Sequence, residues 1–326
     1  MRPMDSSGPV PVFPFVVGCG RSGTTLLRSM LDSHPDLALP PETYFIPRLA
    51  REWQQSVLRS EADVARFVDA LTGTNGYRHM GTPVHLLRAR LIGSLPTGYA
   101  DAIRSVYALY SERRGKRRHG DKTPAYVLEI DRLSALFPEA VFVHIIRDGR
   151  DVAMSFVDGG WADDLGQAIL YWKLQVSRGR ASGRRLAPGR YVEIRYEDLV
   201  ADPASTLSEV CSSIRLPYNE TMLEYQSSAD RWIASTPVPK RHSSLALRPT
   251  LGLRDWRTQM SAEDAGVLRM LAGSLLGELG YPNDDDRHSP HTFALAGWRW
   301  SSWQFHRVAK KVMRAHIPPS VNAGTS

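Results

Sequence analysis

A glycine-rich turn near the amino terminus carries residue types that bind phosphate. An apolar run ends at Val17, and the turn from Gly18 to Thr25 reads Gly-Cys-Gly-Arg-Ser-Gly-Thr-Thr. A helical pattern begins directly at Thr24. Backbone N–H groups in such a turn can converge on one anion, and the positive end of the following helix reinforces them. The turn therefore predicts a phosphate-binding loop.

The residues of this loop differ from those of an ordinary ATP-binding loop. Thr24 stands where such a loop carries its lysine. Gly23 allows the main chain to approach a ligand closely, and the two threonines add hydroxyl donors. These residues predict that the loop binds the phosphate of a nucleotide. They also predict that the reaction is not phosphoryl transfer from ATP. The residues expected to contact it are Gly20, Arg21, Ser22, Gly23, Thr24 and Thr25.

A second candidate site residue follows an apolar run in the middle of the chain. Ala140–Ile146 is apolar apart from His144, which is typical of a central parallel strand, and Arg147 comes next. Arginine offers a planar, permanently charged fork for a phosphate. The carboxyl ends of strands are also where α/β folds bind ligands. We interpret Arg147 as an anion contact, with a structural ion pair to a neighbouring carboxylate as the alternative.

Alternating strands and helices must position these residues. The strands predicted from apolar runs cover 12–17, 140–146 and 190–195. The predicted helices cover 24–31, 61–71, 99–111, 148–156, 203–215 and 261–279. This alternation predicts an α/β fold, in which a parallel sheet of the phosphate-loop type is flanked by helices and joined by right-handed crossovers.

Composition and charge set further bounds. The chain has 326 residues, a formal net charge of +7 and two cysteines, Cys19 and Cys211. The mild basic excess suits an anionic ligand, but it does not indicate nucleic acid. Cys19 lies inside the loop, which is a poor place for a disulfide, and no Cys/His cluster has zinc spacing. A reducing, cytoplasmic location is expected, because the first residues lack the apolar region of a signal peptide.

The ends of the chain differ in composition from its middle. Residues 1–11 read as a flexible tail, 12–283 as one domain, and 284–326 as a basic extension rich in tryptophan. Within that extension, 292–315 favours a helix packed on the domain over one that contacts a membrane surface. The basic run from Ser111 to His119 is expected to be a solvated loop.

At these motifs the chain resembles the sulfotransferase superfamily, and in particular its tyrosylprotein branch with bacterial relatives. Arg21-Ser-Gly-Thr-Thr-Leu is similar to that family's 5′-phosphosulfate loop, and the segment from Val143 to Ser155 is similar to its 3′-phosphate segment. The resemblance implies 3′-phosphoadenosine-5′-phosphosulfate (PAPS) as co-substrate. It implies that Arg147 and Ser155 bind the 3′-phosphate. It further implies nucleotide contacts by Tyr196, Ser244 and Arg248.

The same resemblance implies catalytic roles for three side chains. Glu42 is expected to be the base that takes the acceptor proton, and Arg21 and Lys122 to be cations near the transferring group. Sulfuryl transfer needs in-line placement and charge stabilisation, and we expect no metal requirement. Tyr44 stands where the tyrosylprotein enzymes carry a basic residue. The acceptor hydroxyl therefore stays open among those of a small metabolite, a lipid, a carbohydrate or a peptide tyrosine.

Two other classes of function stay open from the residues alone. A phosphate-loop kinase that uses ATP and magnesium would show the same strand, loop and helix, with Asp148 as a metal ligand. The missing loop lysine counts against it. A non-catalytic binder of phosphoadenosine nucleotides would not need Glu42 and Lys122. The sequence predicts no oligomeric state.

Overall fold

The computed structural model describes residues 11–226, 255–282, 294–301 and 303. Contacts divide these residues into two compact units. The first unit holds the described residues up to Arg147 and those from Gln175 to 226. The second holds Asp148–Leu174 and the described residues from 255 onward. The predicted tail therefore lies almost wholly outside the described residues, and the predicted bounds of the domain stay a prediction.

A parallel sheet forms the centre of the first unit. The strands are β1 (Phe13–Val17), β2 (Leu37–Ala38), β3 (Arg118–His119), β4 (Asp121–Lys122), β5 (Ala140–Ile146) and β6 (Tyr191–Arg195). Four of them form one sheet in the order β4-β1-β5-β6, and every neighbouring pair is parallel. Strands β2 and β3 pair separately, also in parallel. The predicted parallel sheet is confirmed.

Helices follow or flank these strands. They are α1 (Thr24–Asp32), α2 (Phe45–Trp53), α3 (Glu61–Thr72), α4 (Asn75–Met80), α5 (Val84–Ser94), α6 (Tyr99–Glu112), α7 (Ile130–Leu136), α8 (Gly149–Asp158), α9 (Leu165–Gly183), α10 (Tyr196–Ala201), α11 (Pro203–Ser213), α12 (Trp256–Gln259) and α13 (Ala262–Glu278). Short 3-10 turns cover Pro124–Leu128 and Glu220–Glu224. Residues 294–301 are also helical. Among the described helices, none combines the length and apolar character needed to span a membrane.

Both faces of the central sheet are buried. Along β1, Phe13 and Phe15 belong to one apolar cluster, and Val16 belongs to another. Side chains alternate between the two faces of a strand, so each cluster covers one face. On β5, Phe142 and Val143 divide in the same way. This explains why the two strands read as continuous apolar runs.

The basic run between α6 and β4 is not simply solvated. Lys116 Nζ donates to the carbonyl of Leu37 at 3.0 Å, and the Arg118 guanidinium donates to the carbonyl of Ile214 at 2.8 Å. Arg117 forms two hydrogen bonds to Asp36, of 2.9 and 2.8 Å. These bonds hold the run to distant parts of the first unit. The prediction of a solvated loop was therefore wrong for Lys116 and Arg118.

The second unit is held together by the residues that follow Arg147. The Arg150 guanidinium binds Asp148 through hydrogen bonds of 3.0 and 2.7 Å and lies 3.7 Å from the centroid of the Trp256 ring. The backbone N–H of Trp256 donates to Asp151 Oδ1 at 3.0 Å. Asp148 is thus engaged by a buried arginine. This arrangement gives no support to its use as a magnesium ligand in a kinase.

Candidate active site

The loop after β1 has the backbone conformation of an anion-binding turn. Gly18, Arg21 and Gly23 have φ angles of 156°, 67° and 92°. The first turn of α1 has no side-chain cap, because Gly23 occupies the N-cap position. The hydroxyl of Ser22 is buried and has no hydrogen-bond partner among the described residues. Uncapped N–H groups and an unsatisfied buried hydroxyl fit a loop built around an anion.

Tyr196 packs directly against this loop. A Cβ atom placed on Gly23 would lie 2.3 Å from Cδ2 of the Tyr196 ring. Tyr196 begins α10, directly after the last strand of the sheet, so β6 brings its ring to the carboxyl edge of the sheet. Only glycine leaves room for the ring at position 23. The family resemblance predicted that Tyr196 contacts the nucleotide. In the structure its ring packs against Gly23 of the predicted phosphate-binding loop.

Arg147 joins the same arrangement from β5. Its guanidinium carbon lies 4.5 Å from the centroid of the Tyr196 ring, within the range of a cation–π contact. The two candidate phosphate contacts predicted from separate motifs therefore share one neighbour, Tyr196. All of these residues belong to the first unit. Their proximity is the main geometric support for a single nucleotide site.

If the loop binds the nucleotide that the family resemblance implies, the desulfonated donor 3′-phosphoadenosine-5′-phosphate (PAP) should stabilise the wild type, and we expect Gly23→Ala to abolish that stabilisation. The added methyl group would collide with the Tyr196 ring, and φ at this residue is positive. Gly81→Ala is a matched control, because Gly81 has a φ of 63° but no atom within 4 Å of the added Cβ. The control should cost about 1–2 kcal/mol through backbone strain alone. Equal losses of PAP-induced thermal stabilisation in both variants would contradict the proposed packing.

Glu42 and Lys122 form an ion pair at the carboxyl edge of β4. Lys122 Nζ donates to Glu42 Oε1 at 2.7 Å. The side chain of Lys122 is 2% exposed and that of Glu42 is 32% exposed. Lys122 is in register with Val16, close to the start of the loop. A hydrogen bond of 3.2 Å from Gly18 N to the carbonyl of Pro124 also joins the loop to the Lys122 segment.

Tyr44 contacts the other oxygen of Glu42. Its hydroxyl donates to Glu42 Oε2, and the residue is 52% exposed. The backbone of Tyr44 has a φ of 54°, which is unusual for a bulky residue. Gly76 permits this turn, because a Cβ at that position would lie 1.8 Å from the carbonyl oxygen of Thr43. The structure thus places an exposed phenol beside the predicted base.

Comparison with known proteins identifies the family. The model of the sulfotransferase family matches residues 13–220. The chain belongs to the sulfotransferase family. The matched segment contains the loop, Glu42, Lys122, Arg147 and Tyr196.

Individual relatives agree with this assignment. The protein-tyrosine sulfotransferase of Drosophila melanogaster is 25% identical over 295 residues, which cover 85% of this chain and 53% of that protein. Nodulation protein NoeE of Sinorhizobium fredii is 31% identical over 312 residues, which cover 84% of this chain and 67% of that protein. The chain thus spans about half the length of the first of these relatives and two thirds of the second.

Solved structures show the same fold. The sulfotransferase domain from the curacin biosynthetic pathway has a TM-score of 0.55 at 23% identity, covering 84% of this chain and 99% of that domain. The sulfotransferase domain of the Synechococcus PCC 7002 olefin synthase has a TM-score of 0.55 at 22% identity, covering 85% of this chain and 97% of that domain. The predicted fold class is confirmed.

The described residues leave the roles of four predicted site residues untested. Ser155 is buried on α8 in the second unit, so its predicted partnership with Arg147 stays a prediction. Ser244 and Arg248 lie outside the described residues. Arg21 lies in the loop and is partly exposed, and its role near the leaving oxygen also stays a prediction.

A buried polar cluster behind Glu42 and Lys122 was not predicted from the sequence. Asp121 Oδ2 accepts hydrogen bonds from the hydroxyls of Tyr107 at 2.6 Å and Thr43 at 2.8 Å. Thr43 N donates to Thr123 Oγ1 at 3.0 Å, and the hydroxyls of Thr43 and Tyr126 are 3.0 Å apart. All five residues are almost completely buried. We call them the Asp121 cluster.

Burial is the largest cause of the pKa shifts in this region. It raises the pKa of Asp121 to about 6, although hydrogen bonds from Tyr107 and Thr43 and the nearby Lys122 oppose the rise. Burial lowers the pKa of Lys122, and Glu42 opposes that shift. Cys19 in the loop is fully buried, and burial raises its pKa well above the usual value. The thiol is therefore inert under ordinary conditions.

The raised pKa of Asp121 predicts a pH-dependent difference in stability. The pKa of this carboxyl group is about 6 in the folded protein and 3.8 in the unfolded chain. Ionisation is therefore harder in the folded state, so the protein is most stable with respect to this group below about pH 4 and loses stability as the pH rises through 6. Relative to Asp121→Asn, the wild type should lose about 3 kcal/mol of unfolding free energy between about pH 4 and pH 7. Urea unfolding of both proteins measures this, and parallel pH profiles would contradict it.

Among the described residues, no group of three or more His, Cys, Asp or Glu side chains could hold a metal ion. His34 and His144 have structural partners. His34 Nε2 lies 2.9 Å from the carbonyl of Pro217, and His144 Nδ1 lies 2.6 Å from the Tyr191 hydroxyl. Neither histidine therefore has the arrangement of a general base at this site.

Proposed function

We propose that this protein transfers a sulfuryl group from PAPS to the hydroxyl group of an acceptor. The observation that carries the proposal is the placement of two sets of residues at one edge of the sheet. One set is the loop with Tyr196 and Arg147, and the other is the Glu42–Lys122 ion pair. Membership of the sulfotransferase family and the names of its relatives support the same activity.

Donor binding is assigned to the first set. The N–H groups from Gly20 to Thr25 would bind the 5′-phosphosulfate at the start of α1, as helix N-termini bind anions. Arg147 would bind the 3′-phosphate through its guanidinium fork. Ser155 is proposed to assist it. Tyr196, which contacts both Gly23 and Arg147, would hold the two parts of the site in register.

Transfer is assigned to the second set. The acceptor oxygen forms a bond to sulfur while the bond from sulfur to the 5′-phosphate oxygen breaks. Glu42 takes the proton of the acceptor hydroxyl, and PAP leaves with the electron pair. Lys122 and Arg21 supply positive charge where negative charge develops on the leaving oxygen. This scheme needs no metal ion. Tyr44, whose hydroxyl contacts Glu42, is proposed to border the approach of the acceptor.

The proposal is tested by incubating the full chain with sulfur-labelled PAPS and a panel of phenols, sugars, lipid alcohols and tyrosine peptides. Formation of a labelled product together with equimolar PAP, unaffected by EDTA, is the expected result. ATP with magnesium should give no acceptor labelling. Labelling from ATP without any use of PAPS would favour the kinase instead. Tight binding of PAP without transfer to any acceptor would favour a non-catalytic binder.

A further inference from the structure

We propose that Asp121 is a positioning residue of this site, which acts with Tyr107 and Thr43 to fix the Glu42 loop against the Lys122 strand. The inference rests on the proposed function, because it assigns a catalytic purpose to the Glu42–Lys122 pair. It concerns buried residues to which the proposed function assigns no contact with nucleotide or acceptor. Members of the Asp121 cluster are the sequence neighbours of both residues of that pair.

Chain connectivity makes this positioning direct. Thr43 follows Glu42, and Asp121 and Thr123 flank Lys122 in sequence. Thr43 is bound to Asp121 through its hydroxyl at 2.8 Å and to Thr123 through its backbone N–H at 3.0 Å. Two hydrogen bonds therefore join the two segments beside the 2.7 Å ion pair. A shift of the Glu42 loop relative to β4 would break both of these bonds.

Helix α6 provides the third point of attachment. Tyr107 donates its hydroxyl proton to Asp121 Oδ2 at 2.6 Å, and the same oxygen lies 3.1 Å from Thr43 Oγ1, so one hydroxyl contacts both segments. Burying a carboxyl group carries a desolvation cost, which its raised pKa reflects. Well-packed apolar residues can match or exceed the stability given by buried charged groups. The presence of a carboxyl group at this buried position is therefore better explained by the geometry that its hydrogen bonds impose.

The charge of Asp121 also acts on Lys122. Three charged groups influence the pKa of that lysine beyond burial: Glu42 and Asp121 raise it, whereas Arg28 lowers it. Removing the Asp121 charge should therefore lower the pKa of Lys122. The protonated form that steadies a leaving phosphate would then be lost at a lower pH. A purely structural contribution of the cluster would not produce this shift.

The first experiment measures the Lys122 pKa without relying on enzymatic activity. The chain has only six lysines, so NMR titration of isotope-labelled lysine can resolve Lys122, with Lys122→Arg for assignment. We expect Asp121→Asn to lower this pKa and Tyr107→Phe to leave it nearly unchanged. An unchanged Lys122 pKa in folded Asp121→Asn would overturn the electrostatic part of the proposal, whatever the protein catalyses.

The second experiment measures positioning with PAPS alone, water serving as the acceptor. Tyr107→Phe and Thr43→Val should each lower kcat for PAP release at least about tenfold, because small misplacements of reacting groups are costly. The KM for PAPS should change little. Tyr99→Phe is the matched control: Tyr99 is also buried on α6, but its hydroxyl donates to the carbonyl of Ile46 at 2.6 Å. This control should lose stability but keep kcat.

The outcomes separate this inference from the proposed function. If Tyr107→Phe and Thr43→Val lower kcat no more than Tyr99→Phe does, the cluster is structural and the inference fails. If the alkaline limb of the kcat profile moves to lower pH in Asp121→Asn and not in Tyr107→Phe, the inference is supported. A wild type that binds PAP but never consumes PAPS would instead contradict the proposed function, and the NMR titration would still test the effect of the Asp121 charge on Lys122.

Discussion

Replacing Glu42 by glutamine is expected to lower sulfuryl transfer by at least about 100-fold, the usual contribution of a general base. PAP affinity should stay near the wild-type value, because the predicted phosphate contacts lie on the loop and β5. The amide oxygen of glutamine can still accept the hydrogen bond from Lys122, so the buried ammonium keeps a partner. Single-turnover rates with labelled PAPS and calorimetric titration with PAP measure the two effects separately.

Glu52→Gln controls for the general effect of removing a carboxylate. Glu52 is exposed on α2, only ten residues from Glu42, and plays no part in the proposed chemistry. That variant should retain wild-type turnover. Transfer at a normal rate by Glu42→Gln would exclude Glu42 as the base. A parallel loss of PAP affinity would instead assign Glu42 to the binding of the donor.

Replacing Arg147 by alanine is expected to weaken PAP binding at least about tenfold, because a hydrogen-bonded charge pair is lost. Affinity for adenosine 5′-phosphate, which lacks the 3′-phosphate, should change much less. The wild type should bind PAP more tightly than ATP, and the variant should lose that preference. Calorimetric titration with the three nucleotides measures these differences.

The control for Arg147 is an arginine of the same unit with no proposed ligand. Arg66 has a side chain that is 73% exposed and pairs with Asp63 on α3. Arg66→Ala should bind all three nucleotides like the wild type. Equal weakening of PAP and adenosine 5′-phosphate by Arg147→Ala would assign the arginine to another part of the nucleotide or to the integrity of the site.

The parts of the site that could be predicted are local in sequence. The loop reads as a contiguous motif, and Arg147 follows a strand whose bounds, Ala140–Ile146, match the prediction residue for residue. A short motif can determine the backbone conformation of a loop when it contains glycines and when a helix begins directly after the strand and loop. Apolar runs identify central strands because both faces of the sheet are buried. Glu42 and Lys122, in contrast, were predicted only through resemblance to a family.

Contacts between distant segments could not be predicted in the same way. Tyr107 reads as a core aromatic of α6, and only the fold brings its hydroxyl to Asp121. Strand β4 has two residues, too few for a periodic signal, yet its pairing with β1 places Lys122 at the loop. The contact between Tyr196 and Gly23 likewise depends on the position of β6. Asp121 and Lys122 are adjacent in the sequence, but only the structure shows that both are buried, where such residues need a partner.

The most direct test of the account is a crystal structure of this protein with PAP bound. We expect the 5′-phosphate to lie within hydrogen-bond distance of backbone N–H groups between Gly20 and Thr25. We expect the 3′-phosphate to accept hydrogen bonds from the Arg147 guanidinium. Both contacts should come from the same nucleotide. A PAP molecule with either phosphate bound elsewhere would contradict the claim that the loop and Arg147 form one nucleotide site.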